Sequence, residues 1–145
     1  MPTRLLYFAR ADITGMIPAE FILQALDDNG DGVEDTGLWD TLAANACDEA
    51  DAICSSMFTV PFVAPVPVLI AQTAQSIMAA SLYRRRGIED QKNPYAKEAA
   101  EKCAKLTRII QKKEPVPKDF PVSTATVSAS TEPCKTVSTG GFLCA

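Results

Sequence analysis

Apolar positions along most of this chain recur at helical intervals, and proline or glycine punctuates them. Leu38, Leu42, Ala46, Ala50, Ile53 and Met57 fall close to a 3.6-residue period and predict a long helix over 37–57. Tyr95, Ala99, Cys103, Leu106 and Ile110 do the same over 93–113, with lysines on the opposite side. Asn93 is placed to cap that helix, and Pro94 suits its first position. Glu98 with Lys102 and Glu101 with Lys105 have the spacing of supporting ion pairs on one helix face. Near the start, Asp12 is expected to cap a short helix over 12–16. Pro18 suits the first turn of another over 18–26, with Phe21, Ile22 and Leu26 on one side.

Between these lies a run, 58–83, with no charged side chain, followed by Arg84-Arg85-Arg86. It has the look of a membrane span with a basic stop. Pro61, Pro65 and Pro67 shorten its helical part to roughly 16–18 residues, below the roughly 20 a span needs. Gln72, Thr73, Gln75, Ser76 and Ser81 add polar groups that lipid disfavours. The better expectation is a proline-punctuated connector over 58–67 and a buried central helix over 67–86. Gly87 would end that helix, and the three arginines would complement its negative C-terminal end. The pattern therefore predicts an all-α small helical bundle of about four main helices over 1–114. After Pro115 it fades: residues 115–145 hold four prolines and nine Ser/Thr, and read as an extended C-terminal arm. Two features of that arm stand out. One is the Val/Thr/Ser stretch 122–128, suited to strand addition on a partner. The other is an apolar anchor at Gly140-Gly141-Phe142-Leu143.

Charge changes the picture more than composition does. The net charge of −4 hides a polar division along the chain. Residues 1–57 carry two arginines against eleven acids, while residues 84–114 carry ten Lys/Arg against five acids. Such halves can neutralise one another within one molecule or across a head-to-tail contact between copies.

The acidic segment contains Asp27-Asp28-Asn29-Gly30-Asp31-Gly32-Val33-Glu34-Asp35, which starts like the calcium loop of an EF-hand. Asp27, Asn29, Asp31, Gly32 and Asp35 match positions 1, 3, 5, 6 and 9, but the bidentate Glu required at position 12 is replaced by Leu38. A simpler reading is a helix-to-helix turn. Gly30 and Gly32 supply positive φ, and Asp27 and Asn29 accept hydrogen bonds from nearby backbone amides. The turn takes precedence. The alternative is a calcium-binding helical interaction module using the Asp27–Asp35 loop, with the Val33 carbonyl as a further ligand.

Catalytic chemistry finds little support. The chain has no His, the commonest general base, and no phosphate-binding glycine loop or nucleophile elbow. Its five cysteines, at 47, 54, 103, 134 and 144, form no CxxC pair, which argues against zinc. Cys47 and Cys54, two turns apart, are expected in the core. No signal-peptide-like apolar run opens the chain, so free thiols in a reducing cytoplasm are expected. Asp48 and Asp51 are expected on a solvated helix face. The lysines of 93–113 alternate with acids and lack stacking aromatics, which disfavours specific nucleic-acid binding. No catalytic, cofactor or metal residue is assigned, and no enzyme is expected.

The order of these motifs resembles a family. Tyr7 and Asp12 lead. The Leu26-to-Asp35 loop and a long helix containing Ala-Cys-Asp-Glu-Ala-Asp-Ala-Ile follow. Then come the Phe58-to-Pro61 exit, an apolar helix ending Leu82-Tyr83-Arg84-Arg85-Arg86, and a last helix from Tyr95 to Lys113. Over residues 5–114 this is similar to the Mu-like phage head–tail connector proteins, also called neck adaptor or head-completion proteins. Cys54-Ser55-Ser56-Met57 departs from the Tyr-Leu pair often found there, and the tail is richer in Ser/Thr. The resemblance implies a structural virion protein of the phage neck, present in the host cytoplasm during assembly. It implies a homo-oligomeric ring below the portal protein, with C-terminal arms reaching the portal. It also implies an adjacent tail or stopper protein as neighbour, and a ring through which DNA passes without a membrane or cofactor.

Overall fold

The structure, a computed structural model, describes residues 4–121. Those residues form five α-helices and one 3-10 turn: α1 (Arg10–Thr14), α2 (Ala19–Leu26), α3 (Leu38–Cys54), α4 (Val68–Arg85), the 3-10 turn Asp90–Lys92, and α5 (Pro94–Ile110). No strand occurs among the described residues, so the all-α bundle expected from the periodicity is what forms. The strand-addition stretch 122–128 and the anchor at 140–143 lie outside the described residues.

The ends of the helices follow local chemistry, and several shift from the positions expected. The first helix runs over Arg10–Thr14, two residues earlier than 12–16. Asp12 is therefore not its cap. It sits in the first turn, where its carboxylate accepts the Ala9 N–H at 2.8 Å. Pro18 precedes Ala19–Leu26 instead of opening it. The third helix stops at Cys54, not Met57, because Ser55 and Ser56 are weak helix formers. Ser55 Oγ instead donates to the Ala52 carbonyl. At the end of α4, Gly87 has φ +76. Its N–H donates to Arg84 O at 2.9 Å and that of Ile88 to Tyr83 O at 3.1 Å, a double closure that such a residue permits. The end of α5 closes the same way, with Lys112 N–H on Ile109 O and Lys113 N–H on Arg108 O, though here a lysine takes the left-handed φ of 62. Asn93 caps α5 as expected: its Oδ1 accepts the Tyr95 N–H at 3.1 Å. Its Nδ2 also donates to Ala80 O in α4, so this buried side chain joins two helices.

Helix α4, uncharged until Arg84 and Arg85 in its last turn, is the axis of the fold and touches α1, α2, α3 and α5. It has apolar contacts around most of its circumference: Ile70, Ala74, Ile77, Met78, Ala79, Ala80 and Leu82 are all buried. Buried Thr73 and Ser76 keep their hydroxyls satisfied, Thr73 by donating to Leu69 O and Ser76 by contacts with Glu98 and Lys102. Its neighbour α3 presents a face of small residues, Ala43, Ala46, Cys47, Ala50 and Cys54, while Leu38, Leu42 and Ile53 lie half-buried beside it. Small side chains let the two helix axes approach closely. Cys47 and Cys54 are core residues, as their spacing predicts.

Candidate functional site

The chain's polar groups are organised at three places, beginning with the Asp/Gly loop. Leu26 O accepts the Asp35 N–H at 2.9 Å and closes its base. Asp27 Oδ1 accepts the Gly30 and Asp31 N–H groups at 2.7 and 3.2 Å, and Oδ2 accepts that of Gly32 at 2.7 Å. Asn29 Oδ1 takes the Asp31 N–H and Asp31 Oδ1 that of Val33. Asp35 Oδ2 accepts the Asp28 N–H at 2.8 Å. The amides of Asp28, Gly30, Asp31, Gly32 and Val33 are thus each held by a side-chain oxygen, the arrangement the turn reading requires. Among the described residues, no group of three or more His, Cys, Asp or Glu side chains is gathered as metal ligands would be.

The loop is also where the basic cluster lands. Arg85 Nε donates to Ala25 O at 2.8 Å, and its Nη2 pairs with Asp28. Arg86 hydrogen-bonds Gln24 and lies over the Phe21 ring, 5.0 Å from its centroid. Arg84 turns the other way, to Asp90 at 2.6 Å. The three arginines therefore fasten the end of α4 to α2 and to the 3-10 turn, as well as complementing the helix end. Among the described residues Arg85–Asp28 is the one ion pair that joins the acidic segment 1–57 to the basic segment 84–114. The remaining pairs of the basic segment are local. Glu98 pairs with Lys102 as its spacing predicts, whereas Glu101 lies 3.9 Å from Lys97 and not against Lys105.

The second place is a buried polar node that sequence reasoning missed. Asp51 was expected on a solvated face; it is only 7% exposed. Tyr7 Oη donates to its Oδ1 at 2.6 Å, and the Arg4 guanidinium holds its Oδ2. Arg4 Nε also lies 2.8 Å from Asp48 Oδ1, an ion-pair contact off line for a hydrogen bond. Tyr7 Oη in turn accepts the Phe62 N–H at 2.8 Å. A carboxylate on the core face of α3 is thus satisfied by the segment before α1, and the same phenol secures the connector. Burial, and then donation to Asp51, push the Tyr7 phenol up to about 12. Burial followed by the charge of Asp51 takes the Cys54 thiol to about 12, leaving it unreactive at neutral pH. An Asp three residues from another on a helix gives no hint of this. The signal lies in Tyr7 and Arg4, more than forty residues away.

The third place is the connector itself. Phe58, Phe62 and Phe120 form an aromatic cluster with centroids 5.3–6.3 Å apart. Residues 119–121, in the first part of the arm, lie against the body here, and Asp119 Oδ2 accepts the Val68 N–H at 2.7 Å. Together these walls enclose an open cavity of about 350 Å3, lined by Pro61, Phe62, Pro65, Pro67, Phe120 and their neighbours. Val63, on its rim, is 79% exposed.

The described residues form a small all-α bundle. The chain matches the family model described as Bacteriophage Mu, Gp36 over residues 7–120, and it belongs to that family. It is therefore a phage protein of the Mu type. A comparison with curated proteins found no match. Among the described residues no helix is long and apolar enough to cross a membrane.

Proposed function

We propose that this chain is a structural head–tail connector: a non-enzymatic protein that assembles as a ring below the portal and links it to an adjacent tail or stopper protein. Family membership supports the reading. The observation that carries it is the distribution of charge left on the surface. With one ion pair between the two segments, Glu20, Asp31, Asp40 and Glu49 face outward in the first, and Lys105, Lys112 and Lys113 in the second. Opposite net charge on two segments of one molecule favours a heterologous contact, and such a contact closes into a ring when its rotation permits. A single ion pair between the segments leaves most of their difference in net charge in place.

The test is electron microscopy of the purified full chain mixed with the portal protein of the same phage. Rings coaxial with the portal are the expected result. The triple variant Lys105→Glu, Lys112→Glu, Lys113→Glu should weaken assembly by at least tenfold while leaving the helical circular dichroism unchanged. A wild-type chain that stays monomeric in the presence of portal overturns the proposal.

A further inference from the structure

Two apolar surface features, the proline-walled cavity and Val33 on the Asp/Gly loop, stand at opposite ends of α4. We propose that the cavity receives Val33 of a second copy of this chain. The cavity's volume of about 350 Å3 falls within the range of sites that hold small apolar ligands. Its walls, Pro61, Phe62, Pro65 and Phe120, favour an aliphatic side chain over a charged one. Five large apolar side chains are exposed among the described residues: Leu5, Val33, Val63, Val68 and Val116. Val63 lines the cavity, Val68 follows Pro67 of its wall, and Val116 stands three residues before Asp119, also of the wall. Leu5 belongs to the segment that Tyr7 ties to the Phe62 amide. Val33 alone is carried elsewhere, and it is 63% exposed.

The placement of the two features requires a second molecule. Arg85, in the last turn of α4, holds the loop through Ala25 O and Asp28, whereas Pro67, on the cavity wall, immediately precedes the first residue of that helix. The 18 residues of α4 make it about 27 Å long, so Val33 does not reach the cavity of its own chain. The loop is already ordered: Asp31 Oδ1 holds the Val33 N–H at 2.8 Å, and Asp27 takes three amides beside it. A side chain presented on so fixed a loop loses little conformational freedom on docking. Charge selects the same pairing. Asn93 contacts Ala80 and Lys102 contacts Ser76, so α5 runs antiparallel to α4 and brings its own end toward the cavity. Lys112 and Lys113, just past that end, and Lys118, next to the wall residue Asp119, are exposed, while Asp119 itself holds the Val68 amide. Exposed Asp31 and half-buried Glu34 flank Val33 on the loop. The acidic knob thus meets a basic rim, which favours this orientation over a cavity-to-cavity contact. Each copy gives one knob and takes another, the heterologous pattern that a closed ring needs.

The contact rests on the ring reading and names the surfaces that join its copies, and its test separates the two. The full-length chain is made with photoreactive benzoylphenylalanine replacing Val33. It is illuminated alone and mixed with the portal protein, and its adducts are mapped by mass spectrometry while the same samples are imaged by electron microscopy. Adducts on residues 59–67 or 119–121 are expected, in covalent dimers. Val63→Asp, at a position exposed enough to be tolerated, should reduce them at least tenfold, whereas Val63→Ile should preserve them. Rings whose adducts fall elsewhere, or that give none, overturn this contact and leave the connector reading standing. Cavity adducts confined to single chains overturn it as well, because the occupant is then the chain's own loop. A chain with neither rings nor adducts in either sample overturns both.

Discussion

Tyr7 is 6% exposed, and its hydroxyl both donates to Asp51 and accepts from the Phe62 amide. Removing that oxygen leaves a buried carboxylate short of a donor and a buried N–H short of an acceptor. Tyr7→Phe should therefore lower unfolding free energy by about 2–3 kcal/mol at pH 7, measured by urea titration. The effect also has a pH window. A phenol whose folded value is raised from about 10 to about 12 contributes stability that is fully present below pH 10 and lost as pH rises through 12. The stability gap between wild type and Tyr7→Phe should accordingly narrow between pH 10 and 12. A gap constant across that range would contradict the hydrogen-bonded geometry.

At the scale of elements, the Asp/Gly loop shows side chains replacing regular structure as the source of backbone partners. Asp27 alone takes three amides. Asp27→Ala should cost about 2 kcal/mol in buffer containing EDTA, read from the thermal midpoint. Loss confined to calcium-containing buffer would show instead that the carboxylate acts through a metal. Much of this level is legible in the sequence. The turn residues, the Asn93 cap and the periodicity of the long helices each act within a few residues, so pattern reading finds them. Helix ends are less so, as Asp12 shows: from inside the first turn its carboxylate reaches back to the Ala9 N–H, where a cap would take amides ahead of it. The face of α3 is less legible again. Its large apolar residues mark the flank, while alanines and cysteines, which carry little signal, mark the centre. Asp51 was hidden because its partners lie at the other end of the sequence separation.

For the whole molecule, α4 sets the spacing of the bundle. Ala79 and Ala80 are fully buried, and the helix borders four others. Ala79→Leu should destabilise by about 3 kcal/mol, since added methylenes in a close-packed interior have nowhere to go. Ala100→Leu, on the exposed side of α5, should change stability by no more than about 0.5 kcal/mol in the same denaturant titration. An equal effect at both sites would mean that α4 is not the packing axis. The central helix could be foreseen from its lack of charge. The fastening of its arginines to α2 could not, because helix-end complementarity explains the same three residues.

The proline connector has one more consequence. A stretch this apolar, with Phe58, Val60, Phe62, Val63 and Val66 in nine residues, has the composition of a segment that recruits copies of itself into extended sheets. Pro61, Pro65 and Pro67 deny it the N–H groups that a growing ladder needs, and Tyr7 occupies the donor at Phe62. The residues that shape the cavity therefore also act as gatekeepers against pairing through this strand-prone segment.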